Sequence, residues 1–137
     1  MIRSKTLVRV RYAETDMMGI VYHSRYFPWF ECARIEMLDD LGVSYREMET
    51  LGVRLPVVEV NCRYRQPAYF DDRIVIDAEV RELPKARLEV FYNVLREDET
   101  LLCEGRTLHG FMDLNNRPCR PPAVVQAAFV RAFQSQT

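Results

Sequence analysis

The chain is poor in the groups that metal sites and covalent active sites collect. Its 137 residues include two histidines, His23 and His109, with no His-x-x-x-His spacing, so no metal is expected. No G-x-S-x-G elbow is present and neither histidine has a partner that spacing identifies, which leaves a serine or cysteine triad without support. The four cysteines (Cys32, Cys62, Cys103, Cys119) stand far apart with no C-x-x-C pair. They read as buried reduced thiols rather than a disulfide framework. Charge of one sign is also missing: the formal net charge is −1, which gives no basic footprint for nucleic acid. No apolar run approaches the roughly eighteen residues of a membrane span. The stretch Met1-Ile2-Arg3-Ser4-Lys5 leads into a strand pattern with no apolar signal-peptide region, so a cytoplasmic location is expected. Internal repeats, low-complexity tracts and linkers are absent as well, and residues 1–137 read as one domain.

What is present is a clear order of patterns. Residues 6–12 alternate Val8 and Val10 with Arg9 and Arg11, as in a half-buried strand. A loop over 13–22 follows, where Gly19 suits a sharp reversal. A helix should start between His23 and Pro28, with Ser24 as N-cap and Pro28 in the first turn, and stop near Leu41-Gly42. Its apolar positions (26, 27, 29, 30, 33, 35, 37, 38 and 41) cover more than one stripe, so it is expected to be buried on most sides. A short helix over 44–51, capped by Ser44 with Glu47 in the capping-box position, leads to strand patterns at 55–65, 73–83, 86–96 and 100–114. The third of these places Leu88, Val90, Tyr92 and Val94 on one side. The short connections between them favour antiparallel hairpins. A terminal helix is predicted over 123–133. The order gives an α+β protein, a five-stranded antiparallel sheet curled around one long helix. The edges such a small sheet leaves open predict a homodimer.

Reactive groups concentrate in one place: Tyr12-Ala13-Glu14-Thr15-Asp16-Met17-Met18-Gly19-Ile20-Val21-Tyr22-His23. Asp16 precedes a turn that delivers the chain to a helix start, where unpaired N–H groups and a partial positive charge can hold an oxyanion. A carboxylate facing such donors can attack a carbonyl or activate water, with His23 orienting or polarising it. The plainer alternative is an Asp that caps a helix or closes an Asx-turn. Glu14 reads as solvated or paired with arginine rather than as a partner of Asp16. His109, inside the last strand, reads as structural, and Trp29 as core or pocket wall.

This stretch resembles the Y-x-(D/E)-T-D-x-x-G-(V/I)-V-(Y/H)-H signature of hotdog-fold acyl-CoA thioesterases of the 4-hydroxybenzoyl-CoA thioesterase-like group, in the branch named after the Tol–Pal cluster thioesterase. Phe30-Glu31-Cys32-Ala33-Arg34-Ile35-Glu36-Met37-Leu38 is similar to that family's central helix. Tyr69-Phe70-Asp71-Asp72 resembles its turn, and Arg117-Pro118 with Pro121-Pro122 its closing segment. The resemblance implies a hotdog fold and hydrolysis of acyl-CoA to acid and CoA, with no cofactor beyond the CoA of the substrate. It implies a homodimer or homotetramer with the site at the subunit interface. Asp16 falls on the family's catalytic carboxylate, nucleophile or general base; Tyr22 and His23 fall on the helix start that supplies the oxyanion donor; Gly19, Ile20 and Val21 fall on the substrate loop. Lys85 and Arg87 lie where some members hold the CoA phosphates. The branch favours aliphatic over aromatic acyl groups, although Met17-Met18 replaces the small residues common in this loop, and Pro28 early in the helix and the bulky Tyr26, Phe27 and Trp29 are expected to narrow or reshape the acyl pocket. A non-catalytic acyl-CoA-binding module and a thioesterase for acyl-carrier-protein thioesters are the alternatives.

Overall fold

The structure, a computed structural model, describes residues 1–135. In chain order the elements are β1 (Ile2–Arg9), α1 (Tyr26–Asp40), α2 (Tyr45–Thr50), β2 (Val57–Tyr64), β3 (Arg73–Val80), β4 (Arg87–Arg96), β5 (Leu101–Gly110) and α3 (Ala123–Ser135). Short 3-10 turns at Tyr12–Glu14 and His23–Arg25 flank the loop between β1 and α1. The strands form one antiparallel sheet in the order β1-β3-β4-β5-β2. The α+β architecture with five antiparallel strands and one long helix is the one the sequence predicts.

Alternation sets the inner face. Ile74, Ile76, Ala78 and Val80 of β3 and Leu88, Val90, Tyr92 and Val94 of β4 are all buried against α1 and its neighbours. Phe30 of α1 stacks on Tyr92 with ring centroids 4.3 Å apart, directly over Gly105 of β5. Burying side chains of this size contributes about 1.5–3 kcal/mol each.

β1 differs from its predicted span. It covers Ile2–Arg9 rather than 6–12, and its inward residues are Ile2, Ser4 and Thr6. The two hydroxyls are satisfied by α1: Ser4 Oγ donates to Asp40 at 3.0 Å and Thr6 Oγ1 to Glu36 at 2.7 Å. The strand ends early because Val10 bonds to the 71–72 turn and the next residues coil into a 3-10 turn. β5 stops at Gly110 rather than 114, where Asp113 Oδ1 accepts the Asn115 and Arg117 N–H groups and reverses the chain. The strands predicted at 55–65, 73–83 and 86–96 are each trimmed at an end.

Two helix expectations need correction. Ser24 is not a cap; Tyr22 and Arg25 occupy the N-cap positions of the 3-10 turn and of α1, and neither makes a side-chain cap bond. Nor is α1 buried on most sides of this chain. Tyr26, Trp29, Phe30, Ala33, Met37 and Leu38 are buried, whereas Phe27, Glu31, Cys32 and Glu36 are exposed. Pro28 does sit in the first turn, Ser44 Oγ accepts the Glu47 N–H at 3.1 Å, and Gly42 has φ +86°. The cysteines are free, and Cys32 is exposed rather than buried.

A buried polar chain crosses the sheet. His109, fully buried as a structural residue, has Nδ1 3.1 Å from the Leu55 carbonyl and Nε2 2.9 Å from Thr107 Oγ1. The carbonyl can only accept, so Nδ1 carries the proton and Nε2 accepts from Thr107. Thr107 in turn accepts from the Tyr92 hydroxyl at 2.8 Å, and Tyr92 accepts from Arg34 at 3.2 Å. Every group in the chain is satisfied in one direction.

Candidate active site

The loop between β1 and α1 is pinned at both ends. Glu14 turns inward and is almost fully buried, where its carboxylate accepts the Trp29 Nε1–H at 2.8 Å and the Arg11 backbone N–H at 2.7 Å, with the Arg11 guanidinium at 3.5 Å. Glu14 therefore pairs with arginine as predicted but is not solvated, and it stands apart from Asp16. Ile20 bridges to Tyr69, and the Val21 N–H donates to the Ala68 carbonyl at 2.8 Å. Gly19, at φ +81°, makes the reversal that an L side chain would resist.

Asp16 closes an Asx-turn: its Oδ1 accepts the Met18 N–H at 2.8 Å. Its Oδ2 has no protein partner among the described residues. Asp16 lines an open cavity of about 400 Å³ together with His23, Ile20, Val21, Tyr26 and Tyr64; Met18, Arg65, Gln66 and Pro67 complete the wall. The second 3-10 turn, His23–Arg25, starts at this cavity. The Tyr22 N–H is committed to the Glu14 carbonyl at 2.9 Å, whereas the His23 and Ser24 N–H groups precede the first bond of the turn, from Arg25 to Tyr22. His23 and Ser24 thus have backbone donors to spare at the helix start, and of the two His23 lines the cavity. Its exposed ring lies against Tyr22, centroids 4.2 Å apart.

The sequence reading did not pick out Tyr64, and it named Tyr26 only among the bulky residues near the pocket. The Tyr64 hydroxyl donates to the His23 carbonyl at 2.6 Å and its ring packs edge-on against Tyr26 at 5.1 Å. Burial raises both phenols, Tyr26 to about 12. Their signal in the sequence is weak, since Tyr64 is a strand-end aromatic and reaches the site only through the β2–β5 register, in which it faces Cys103.

Of the predicted site residues, the structure brings Asp16, Ile20, Val21 and His23 to one cavity, with Gly19 and Tyr22 in the same loop. Lys85 and Arg87 are elsewhere. Arg87 pairs with Gly110, at the far end of β5 from Cys103, roughly 23 Å along the strand at ~3.3 Å per residue. Lys85 is exposed just before it. Within one chain these cations do not reach Asp16.

A curled antiparallel sheet, one long helix on its inner face, and a carboxylate at the entry of that helix define a hotdog protein with a hydrolase-like site. The thioesterase-like superfamily profile matches residues 10–129, and the chain belongs to that family. It is 34% identical over 110 residues to a putative acyl-CoA thioesterase, YneP, of Bacillus subtilis, covering 80% of each chain. It is 32% identical over 123 residues to the acyl-CoA thioester hydrolase YbgC of Escherichia coli, covering 89% of this chain and 92% of that one. A DHNA-CoA thioesterase from Staphylococcus aureus superposes with a TM-score of 0.88 at 30% identity, covering 99% of this chain and 95% of that one. Among the described residues no helix is long and apolar enough to cross a membrane.

Proposed function

We propose that the protein hydrolyses acyl-CoA thioesters, R–CO–S–CoA, to the acid and CoA, with Asp16 delivering the oxygen nucleophile. The observation that carries this reading is the placement of Asp16, one carboxylate oxygen unpartnered, in the same cavity as the start of the His23–Arg25 turn. The names of relatives covering most of the chain support the substrate class.

A thiolate leaves readily, so the demanding tasks are bringing an oxygen to the carbonyl and holding the oxyanion. Oδ1 of Asp16 is held by Met18, which aims Oδ2, and the His23 N–H is the oxyanion donor. Oδ2 either attacks the carbonyl, expelling CoA thiolate and leaving an anhydride that water opens, or takes the proton of an attacking water. Single-turnover hydrolysis in ¹⁸O water reads the direct route: an anhydride opened by water at the Asp16 carbonyl leaves the label in Asp16 and passes an Asp16 oxygen to the acid, which water attack on the thioester never does.

The assembled site is a dimer. β2 is an edge strand exposing Val57, Val58, Val60 and Tyr64. Antiparallel pairing of β2 with its copy about a two-fold axis sets the Val57 end of one strand against the Tyr64 end of the other. That pairing carries Lys85 and Arg87 of the partner subunit toward the Asp16 cavity, where they meet the CoA phosphates. Tetramers then join two such dimers, and light scattering of the eluted protein distinguishes the states. The enzyme is taken to work in the cytoplasm, where acyl-CoA is made and used.

The decisive experiment is thiol release from short, medium, long and aromatic acyl-CoAs by wild type and Asp16→Asn. Wild-type turnover that falls ~100-fold or more in the variant supports the reading. Turnover unchanged in the variant refutes the role of Asp16, and binding without turnover gives the lead to the non-catalytic module.

A further inference from the structure

Cys62 and Cys103 lie on the inner face of adjacent strands, and their sulfurs are 3.7 Å apart. They are diagonal neighbours in the β2–β5 register, where Cys62 faces Gly105 and Tyr64 faces Cys103. Gly105 puts no Cβ beside the Cys62 thiol. Cys103 is fully buried, whereas Cys62 is only partly so. One thiol is open to a small reagent and the other waits behind it.

We propose that Cys62 and Cys103 are a modification site: a hydroperoxide oxidises them to a reversible disulfide, and the closed bond slows hydrolysis in the adjoining cavity. The Cys62 thiolate attacks a peroxide oxygen and expels hydroxide, becoming a sulfenic acid. The Cys103 sulfur then attacks the Cys62 sulfur; its thiol proton and the departing hydroxyl leave as water. Two thiols and one hydrogen peroxide give one disulfide and two waters. The order of attack follows the local chemistry: the hydrogen bond from Cys103 draws the Cys62 pKa down, against the effect of burial and with help from Tyr64. Cys103 is pushed up by that same bond and by burial.

Bond formation brings the sulfurs from 3.7 Å to about 2.05 Å. The residues that must adjust are those of the site wall. Tyr64 follows Cys62 on the same face, opposite Cys103, and its hydroxyl holds the His23 carbonyl at the helix start. Its ring also supports Tyr26. Drawing β2 onto β5 at this point displaces the His23 turn relative to Asp16. The disulfide itself stands beyond the thioesterase reading; only its effect on turnover rests on that reading.

The test uses the full chain with Cys32→Ser and Cys119→Ser, which removes the remaining thiols. One equivalent of hydrogen peroxide should lower the intact mass by two hydrogens and yield a single cross-linked Cys62–Cys103 peptide. Hydrolysis should fall at least ~10-fold and recover with dithiothreitol, since a displacement on the ångström scale is costly in an active site. Cys62→Ala in the same background should keep the starting activity and lose the response. Oxygen addition at Cys62 with Cys103 still open to alkylation after unfolding overturns the proposal. So does a quantitative disulfide that leaves turnover unchanged. If the reduced protein hydrolyses no thioester, the proposed function fails, while the peptide map still decides the disulfide.

Discussion

Taking the protein from pH 7 to pH 4 is expected to remove about 3 kcal/mol of stability through one side chain, His109. Its ring is fully buried between the Leu55 carbonyl and the Thr107 hydroxyl. Burial pushes its pKa down from 6.5 to about 4, the positive charge of Arg34 adds to the effect, and the bond to Leu55 opposes it. An unfolded chain takes up this proton near pH 6.5, whereas the folded chain resists until about pH 4. Within that window the unfolded state binds more protons, so stability rises with pH. The contribution is complete above pH 6.5 and is lost as the pH falls to 4. The gap multiplied by ~1.4 kcal/mol per pH unit sets a full value of about 3.5 kcal/mol, of which about 3 is lost by pH 4, where the folded ring is half protonated. Structurally, protonated Nε2 would turn a donor toward the Thr107 hydroxyl that now donates to it, and Arg34, which can only donate, blocks reversal of the chain of bonds beyond Tyr92. Urea denaturation of wild type and His109→Gln across this window is the assay. Both proteins carry the same carboxylates, so subtracting the curves isolates the histidine. The wild-type curve should be steeper by that amount. Parallel curves, or a ring that titrates near 6.5 by NMR, would refute the reasoning.

Gly105→Ala should cost about 2–3 kcal/mol, because the new Cβ would meet Phe30 Cζ and lie 2.6 Å from its Cε2 while the ring is held against Tyr92. A lowered urea midpoint checks it, and an unchanged midpoint would mean that Phe30 moves freely. Glu14→Gln places an amide donor where two donors converge, from Trp29 and Arg11, and should cost about 1–3 kcal/mol. Denaturation followed by Trp29 fluorescence reads that loss, and an unaltered transition would count against the buried bond.

Much of the fold could be read from periodicity. β4 shows its inner face as Leu88, Val90, Tyr92 and Val94, and Gly42 and Ser44 mark a helix end and the next helix start. β1 was harder to place because Ser4 and Thr6 look like surface residues; only the carboxylates of Glu36 and Asp40, a whole helix away, make them inward-facing. Glu14 hides for the same reason, its partner Trp29 lying on α1. Within the site, the Asp16–His23 loop was legible because its residues are contiguous. Tyr64 and Arg65 arrive through the register of β2 on β5, which no local pattern encodes.

The sheet order has a consequence for how the chain comes together. β3, β4 and β5 are consecutive and close by short turns, whereas β1 pairs only with β3, joining Ile2 to Val80. Loop closure over such separations is entropically costly and slows folding. During synthesis β1 emerges first and has no strand to pair with until β3 follows. The apolar side of α1 likewise leaves the ribosome before four of the five strands exist. The Asp16–His23 loop, strung between these two waiting elements, is made before the other four strands, and it acquires its shape only after the sheet has formed.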